Sequence, residues 1–548
     1  MHCDQGDRQA KEAYIVTVVP YADSNYACRP LVVLASCKSS TAWQQRDILQ
    51  QVFDAWDVNC ETRCGPLYQF FTDGDAPRRQ AGEMMTTLEL DKQSTLHGTL
   101  SKLKLFDLRV GPKERTNGKD RKHNIKRART VIKSVTRGWC IGNADGFEHK
   151  SSSVKLVLIA AGYSAKQVKA WLEPEDDQSV SEAVQLVQAI SSLREPTRLA
   201  GISVVMRPQV KDLVLLADIW DGSLAAVVDF TSDLTAIMTA MAKEAFIMLL
   251  AYRRHGTRLM PSQLYHDEQA SIKCSFVTAA KLQRDFPGSN YHIFQDGTDR
   301  QEVMHGRVRT LTHNRSVDQG SLVDRLSVVA QMATVFEKHP SWDRGSRRQR
   351  ATSDHANVRS TTGCRNVSKV NLDACWAGGR QGALEAFRAH GAYPSAAADL
   401  EAVECSDLPV TMMRPFGAAV GVSVATSVET LTCVEVEEEE EDAYDAIDTL
   451  LSWGKGQEAR PAPVPPNQPQ LHPHPHLHPH PHRLCIGPCL HPWSCERHER
   501  RRWSWMRRHR QGRVRWPPAP APHHVPASYP MACISPILTP PDRMMTTY

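Results

Sequence analysis

The stretch YQFFTDGDAPRR, residues Tyr68–Arg79, decides the first half of the fold. Its apolar run has the length of a buried strand, and that strand runs directly into Asp73 and Asp75. Carboxylates at a strand end supply the oxygen ligands that magnesium prefers, together with substrate phosphate. An Asp-Gly pair is also typical of a plain turn. The stretch therefore predicts a strand end at which Asp73 either binds a metal or begins a turn.

The sequence around this strand predicts an α/β front end followed by a long helical middle. Arg29–Ala35 and Leu105–Val110 are short apolar runs of strand length. Apolar residues then recur at helical spacing in Val180–Leu193 and in the longer Leu234–Arg254. The chain of 548 residues is long enough for more than one domain.

Composition narrows the class of protein. The chain is 41% hydrophobic and 23% charged, with a formal net charge of +5, so most of it can fold. Its longest apolar stretch, Val210–Tyr252, is interrupted by aspartates, which predicts no transmembrane helix and no membrane partner. The 15 cysteines are irregularly spaced, as free thiols in a reducing compartment would be. We expect a soluble intracellular protein.

A basic segment, Gly111–Gly138, follows the third apolar run. If residues 122–135 form a helix, four cations recur at i, i+4, i+7 and i+11: Lys122, Lys126, Arg129 and Lys133. Such a stripe suits contacts with nucleic-acid phosphates, although a solvated basic helix has the same composition. Asp120 is an acid set inside this segment, where it either forms a salt bridge or holds a cation.

A third motif lies in residues 294–316. Thr298 or Asp299 can cap a helix there, and on that helix Glu302, Gly306 and Arg309 share one face. The glycine leaves space beside the glutamate, and the arginine adds positive charge. An ordinary capping-box glutamate is the alternative.

Three segments resemble, in their order and context, proteins encoded by fungal transposons. They are TDGD (72–75), DRKHNIKRAR (120–129) and GTDRQEVMHGRVRTL (297–311). They are more distantly similar to transposases of the P-element and hAT group, and the resemblance covers roughly residues 30–385. It implies an α/β fold with an RNase H-like core, which a large helical insertion interrupts between the second and third acids.

The resemblance also implies a site and a chemistry. Asp73, Asp120 and Glu302 would bind two Mg²⁺ or Mn²⁺ ions, which activate a water or a DNA 3′-hydroxyl for cleavage and strand transfer. The expected partner is DNA, in a homo-oligomer located in the nucleus, or otherwise in the cytoplasm. The residues expected to contact the DNA backbone are Lys122, Lys126, Arg127, Arg129, Lys133 and Arg309.

The sequence departs from the family pattern beside the second and third acids. Polar residues stand where the family has apolar or aromatic ones: Lys119, Arg121, Asn124, Gln301 and His305. Buried without partners, each would destabilise the fold by about 1–3 kcal/mol. These departures predict a decayed copy of a transposase.

The composition changes sharply toward the C-terminus. An acidic run leads into a short amphipathic helix that could dock a protein partner, and the Pro/His/Arg-rich remainder predicts a disordered tail. The expected divisions are an N-terminal extension, two parts of the core separated by the helical insertion, the acidic segment and the tail: 1–27, 28–138, 139–290, 291–425, 426–454 and 455–548.

Three hypotheses remain open from the sequence. The leading one is a transposase-like protein that has either kept or lost catalysis. The second is a non-catalytic nuclear protein, derived from a transposon, that binds DNA or a protein partner through the acidic helix. The third is an unrelated α/β protein in which the order of the motifs is coincidental.

Overall fold

A computed structural model describes most of the first 417 residues and one strand near the C-terminus. The described residues are 12–21, 27–36, 40–72, 75–134, 138–141, 148–174, 179–312, 318–339, 342, 361–391, 393–417 and the backbone of 531–538. All of them belong to one compact unit. The acidic segment 426–454 and the tail other than 531–538 lie outside the described residues.

Within the described residues, the main sheet has five strands in the order β2-β1-β7-β3-β6. They are β1 (Glu12–Pro20), β2 (Arg29–Ser36), β3 (Gln69–Thr72), β6 (Thr116–Lys119) and β7 (Met531–Leu538). β1 pairs antiparallel with β2 and β7, whereas β3 pairs parallel with β6 and β7. The short strands β4 (Leu88–Glu89) and β5 (Arg109–Val110) form a separate antiparallel pair.

The alternating side chains of β1 are buried on both faces of the sheet. Ile15 and Val19 enter the large core on one face, while Tyr14, Val16 and Val18 pack into a smaller core on the other. Successive side chains of a strand point to opposite faces, so a strand that is apolar at both must be covered on both sides.

The described helices make up most of the fold. They are α1 (Ala42–Asn59), α2 (Glu61–Cys64), α3 (Ala76–Met85), α4 (Thr95–Leu100), α5 (Arg121–Lys133), α6 (Ser151–Ala160), α7 (Ala165–Leu172), α8 (Val180–Ser191), α9 (Pro196–Leu199), α10 (Arg207–Val228), α11 (Leu234–His255), α12 (Ser262–Asp285), α13 (Asp299–Thr310), α14 (Gln319–Lys338), α15 (Leu372–His390) and α16 (Ala396–Glu404).

The helices expected from periodicity at 122–135, Val180–Leu193 and Leu234–Arg254 are confirmed as α5, α8 and α11. The helical segment Leu234–Arg258 is long and apolar enough to cross a membrane. However, 72% of its most apolar stretch is buried inside the protein. Such burial is what the core helix of a globular protein shows. α11 packs against α10, α12 and α15 in the helical middle.

Three expectations from the sequence are wrong in detail. The supposed N-terminal extension 1–27 contains β1, a strand of the main sheet. In Leu105–Val110 only the last two residues are strand, because the Asp107 carboxylate accepts hydrogen bonds from the Arg109 backbone and side chain and bends the chain locally. Within the tail, residues 531–538 form β7, since an apolar run can complete the ladder between β1 and β3.

Candidate metal and nucleic-acid site

Asp120 stands where β6 ends and α5 begins. It is the N-cap of α5, and its Oδ1 accepts hydrogen bonds from the backbone N–H groups of Lys122 (2.8 Å) and His123 (3.3 Å). An acid capping a helix satisfies donors that the helix itself leaves unpaired. The strand-to-helix junction therefore fixes this carboxylate, whose residue is only 4% exposed.

The same carboxylate also contacts the start of α13, the helix that carries Glu302. Its Oδ2 accepts a hydrogen bond from the backbone N–H of Thr298 at 2.9 Å and another from the Thr298 hydroxyl. Gly297 makes this approach possible: its φ is +111°, and a Cβ there would lie 3.2 Å from the Asp120 oxygen. Asp120 thus joins the N-termini of two helices that are far apart in sequence.

Asp120, His123 and Glu302 converge beside this junction, with one potential ligand atom from each lying within 4.8 Å of the others. His123 lies between the carboxylates, its Nδ1 3.5 Å from Asp120 Oδ2 and its Nε2 3.7 Å from Glu302 Oε1. These separations are too long for strong hydrogen bonds. The side chains of His123 and Glu302 are 31% and 46% exposed, so the cluster opens to solvent.

The charges of the cluster depend on one another. Burial alone would raise the pKa of Asp120, but His123 and the hydrogen bonds from Thr298 hold that pKa below its ordinary value. Burial would lower the pKa of His123, and the Asp120 carboxylate raises it instead. The Glu302 carboxylate is partly exposed, but the desolvation that it does undergo raises its pKa and outweighs the opposing charge of His123.

This donor set fits a divalent cation. Ligand atoms around an ion with bonds of about 2.0–2.2 Å lie about 3 Å apart, so the three ligand atoms, which lie within 4.8 Å of one another, would have to move closer together to bind one ion. An imidazole nitrogen suits Mn²⁺ or Zn²⁺ better than Mg²⁺, which prefers oxygen alone. The residues that would hold the ion are Asp120, His123 and Glu302.

Of the three acids expected to bind metal, the structure brings Asp120 and Glu302 together. Asp73 lies outside the described residues, so its participation stays a prediction. In the sequence Asp73 directly follows Thr72, the last residue of β3. The Thr72 hydroxyl accepts a hydrogen bond from Lys119 Nζ at 3.1 Å. β3 and β6 are parallel neighbours, with Thr72 opposite Lys119, so both strands end at the same edge of the sheet.

The expected DNA-contacting cations do not share one environment. Lys122 pairs with Asp299 at 2.8 Å, and Arg127 pairs with Asp267 at 2.6 Å. Arg129 is 1% exposed and donates to the Ser179 carbonyl, so it lies inside the protein and not on the surface stripe that spacing predicted. The reason is that this side of α5 packs against α8.

The remaining cations lie nearer the surface. Lys126 and Lys133 on α5 are half-buried, and Lys126 is close enough to oppose the rise in the pKa of Glu302. On α13, Glu302, Gly306 and Arg309 are all exposed, as their spacing predicted. The side of the protein around the cluster thus carries cations from both helices.

Most of the polar residues that depart from the family pattern are buried with partners. Lys119 donates to Thr72, and the Gln301 side-chain amide donates to the Ile15 carbonyl at 3.0 Å. Arg121 donates to the Ser271 carbonyl and to the Ser275 hydroxyl, both at 2.7 Å. These hydrogen bonds offset the desolvation cost that the sequence predicted.

Several residues that contribute to the site were not identified from the sequence. His123 was recognised as part of a motif and not as a possible ligand, although an acid and a histidine three residues apart at a helix start share a side. Asp267 gave no usable signal, because nothing in the spacing of α12 shows what lies opposite it in the fold. Thr298 was expected to cap α13 and lies at its N-cap, but its hydrogen bonds to Asp120 were not foreseen.

No protein-family profile and no curated protein sequence matches this chain. Among solved structures, a chain of the Drosophila P element transposase strand transfer complex matches it with a TM-score of 0.37 and 14% sequence identity. That match covers 64% of this chain and 80% of the other.

Proposed function

We propose that this chain is a transposase-like protein whose site cleaves DNA and transfers strands with the help of divalent metal ions. The observation that carries the proposal is the convergence of Asp120, His123 and Glu302 at the N-termini of α5 and α13. Three metal-binding side chains from two distant segments, beside a basic helix, suit chemistry at a phosphodiester. The proposed substrate is DNA.

Each residue would have a separate task. Asp120 is held rigidly by four donors and would fix the position of the site, while the more exposed His123 and Glu302 would complete it. A bound divalent ion would polarise the phosphodiester and lower the pKa of a water or hydroxyl nucleophile. Lys122 and Lys126 would hold the backbone phosphates, because phosphate contacts supply most of the affinity for DNA.

The finer parts of the proposal have their own support. A second ion would need Asp73, the residue after β3 in the sequence. β3 pairs in parallel with β6, the strand that Asp120 follows. The parallel strands β3 and β6, with the helices α6–α12 between Asp120 and Glu302, support an RNase H-like core with a helical insertion. Action on DNA implies location in the nucleus, and strand transfer at paired ends implies a homo-oligomer.

The test is nicking of supercoiled plasmid by the full chain in Mn²⁺. We expect nicking that falls at least 100-fold in Glu302→Gln and in His123→Ala, while the exposed-residue control Glu401→Gln stays unchanged. Loss of one group that stabilises transition-state charge commonly costs that much. Equal nicking by all four proteins would assign the activity to a contaminant and refute the proposal.

One observation favours the second candidate, a non-catalytic DNA-binding or protein-interaction protein. Asp120 already accepts four hydrogen bonds from the protein, and His123 lies between the two carboxylates, so the cluster is stable as an internal salt bridge. Such a protein would bind DNA through α5 and a partner through residues 426–454. It would bind DNA equally well with and without Mn²⁺ and would nick nothing.

A further inference from the structure

Asp267 lies at the centre of a buried charge cluster beneath α5. Its residue on α12 is 1% exposed, and the Arg79 guanidinium from α3 donates to it twice, Nε to Oδ1 and Nη2 to Oδ2, both at 3.0 Å. Arg127 from α5 donates to Oδ2 at 2.6 Å. One aspartate thus contacts two arginines from different helices, and the three charges sum to +1.

The two arginines differ in their access to solvent. The Arg79 side chain is 3% exposed, whereas the Arg127 side chain is 20% exposed and reaches the protein surface. Because Arg79 already balances the charge of Asp267, the contact orients Arg127 and leaves the group as a whole cationic. Arg127 Nη2 also donates to Gln263 at 3.5 Å, which restrains the plane of the guanidinium.

Arg127 lies one helical turn beyond His123. Side chains at i and i+4 are neighbours on a helix surface, about 5–6 Å apart at Cβ. A guanidinium held in one orientation matches the oxygens of a phosphate better than a mobile cation does, because less rotamer entropy is lost on binding. The cluster of Asp120, His123 and Glu302 begins on this same side of α5.

We propose that Asp267 is a positioning residue that holds Arg127 to receive a DNA phosphate beside the Asp120–His123–Glu302 cluster. This inference rests on the proposed function. Asp267 itself touches no substrate, and it acts only through the guanidinium that it orients. The pKa of Asp267 supports the assignment: burial would raise it, but Arg79, His266 and Arg127 keep it well below the ordinary value, so the carboxylate stays charged.

The test is the salt dependence of DNA binding by the full chain, measured with a fluorescent 30-base-pair duplex between 50 and 300 mM NaCl. Each phosphate contact contributes about 0.9 to the slope of log K against log[salt]. We expect Arg127→Gln and Asp267→Asn each to lower the slope by about 1, and the double variant to lower it no further. Arg380→Gln, whose arginine pairs with Glu404 at 2.6 Å, is the matched control and should leave the slope unchanged.

Asp267→Asn removes the carboxylate that pairs with the buried Arg79, so the folding of this variant is checked by circular dichroism. Asp267→Glu keeps the charge that Arg79 needs but displaces the oxygen that Arg127 contacts, and it should lower the slope in the same way. A wild-type slope in Asp267→Glu, or additive losses in the double variant, overturns the positioning role. Absence of DNA binding by the unaltered chain would instead refute the proposed function.

Discussion

Replacing Glu268 by glutamine should stabilise the protein, and the gain should grow as the pH rises. Glu268 and Glu244 are both fully buried, and the Ser223 hydroxyl lies 2.9 Å from Glu268 Oε2 and 3.0 Å from Glu244 Oε1. Glu268 Oε1 has no hydrogen-bond partner among the described residues. Two acids that share one hydroxyl in a dry interior favour protonation of at least one.

The size of the effect follows from the pKa of Glu268. Burial raises that pKa from 4.5 to about 7, although the Arg121 cation opposes the rise. The folded chain therefore binds more protons than the unfolded chain between these values, and stability is lost as the pH rises through them. At 1.36 kcal/mol per pKa unit the loss is about 3 kcal/mol above pH 7.

The assay is urea unfolding of the full chain at pH 5.0, 7.0 and 8.5, followed by circular dichroism. Glu268→Gln cannot ionise, so its free energy of unfolding should exceed that of the wild type by about 1 kcal/mol at pH 5.0 and by about 3 kcal/mol at pH 8.5. Glu401→Gln, at an exposed helix position, is the control. A Glu268→Gln variant that is less stable than wild type at pH 8.5 would show an ionised carboxylate paired with Arg121, and the reasoning would be wrong.

Three further substitutions test the fold and the site by thermal and urea unfolding. Arg121→Met removes a buried guanidinium that donates to the Ser271 carbonyl and to the Ser223 and Ser275 hydroxyls, and it should destabilise the protein by about 1–3 kcal/mol, whereas an unchanged free energy of unfolding would contradict those contacts. Gly297→Ala forces a side chain into a φ of +111° next to Asp120 and should cost about 1–3 kcal/mol and weaken Mn²⁺ binding; unchanged binding would contradict the role of this turn. Trp376→Ala removes a 3% exposed side chain that packs on three phenylalanines and donates to the Lys104 carbonyl, so a loss of about 3–5 kcal/mol is expected, and a loss under 1 kcal/mol would contradict that packing.

Local pattern was enough to predict many elements of the fold. The apolar runs at Arg29–Ala35 and Leu67–Thr72 became β2 and β3, and helical spacing located α5, α8 and α11. β1 was missed although IVTVV is a β-branched run that pairs with the nearby β2, and its second pairing, with residues 531–538, joins opposite ends of the chain. Short-range pattern carries no information about such a pairing.

The site was predictable only in part. Asp120 and Glu302 were chosen through the order of motifs, since no spacing rule relates residues so far apart. The contact between Arg127 and Asp267 could not be foreseen, because no spacing rule relates residues of α5 to residues of α12, where Asp267 is buried. Arg129 shows the converse: an evenly spaced cationic stripe does not reveal which of its members packs inward.

Asp120, His123 and Glu302 are together expected to bind a divalent cation. Calorimetric titration of Mn²⁺ into the full chain tests this directly, with Glu302→Gln, His123→Ala and the control Glu401→Gln measured alongside. We expect a bound ion whose affinity falls at least tenfold in both site variants, is unchanged in the control, and is higher for Mn²⁺ than for Mg²⁺. Absence of Mn²⁺ binding by the folded wild-type chain, or equal binding by all four proteins, would contradict this expectation.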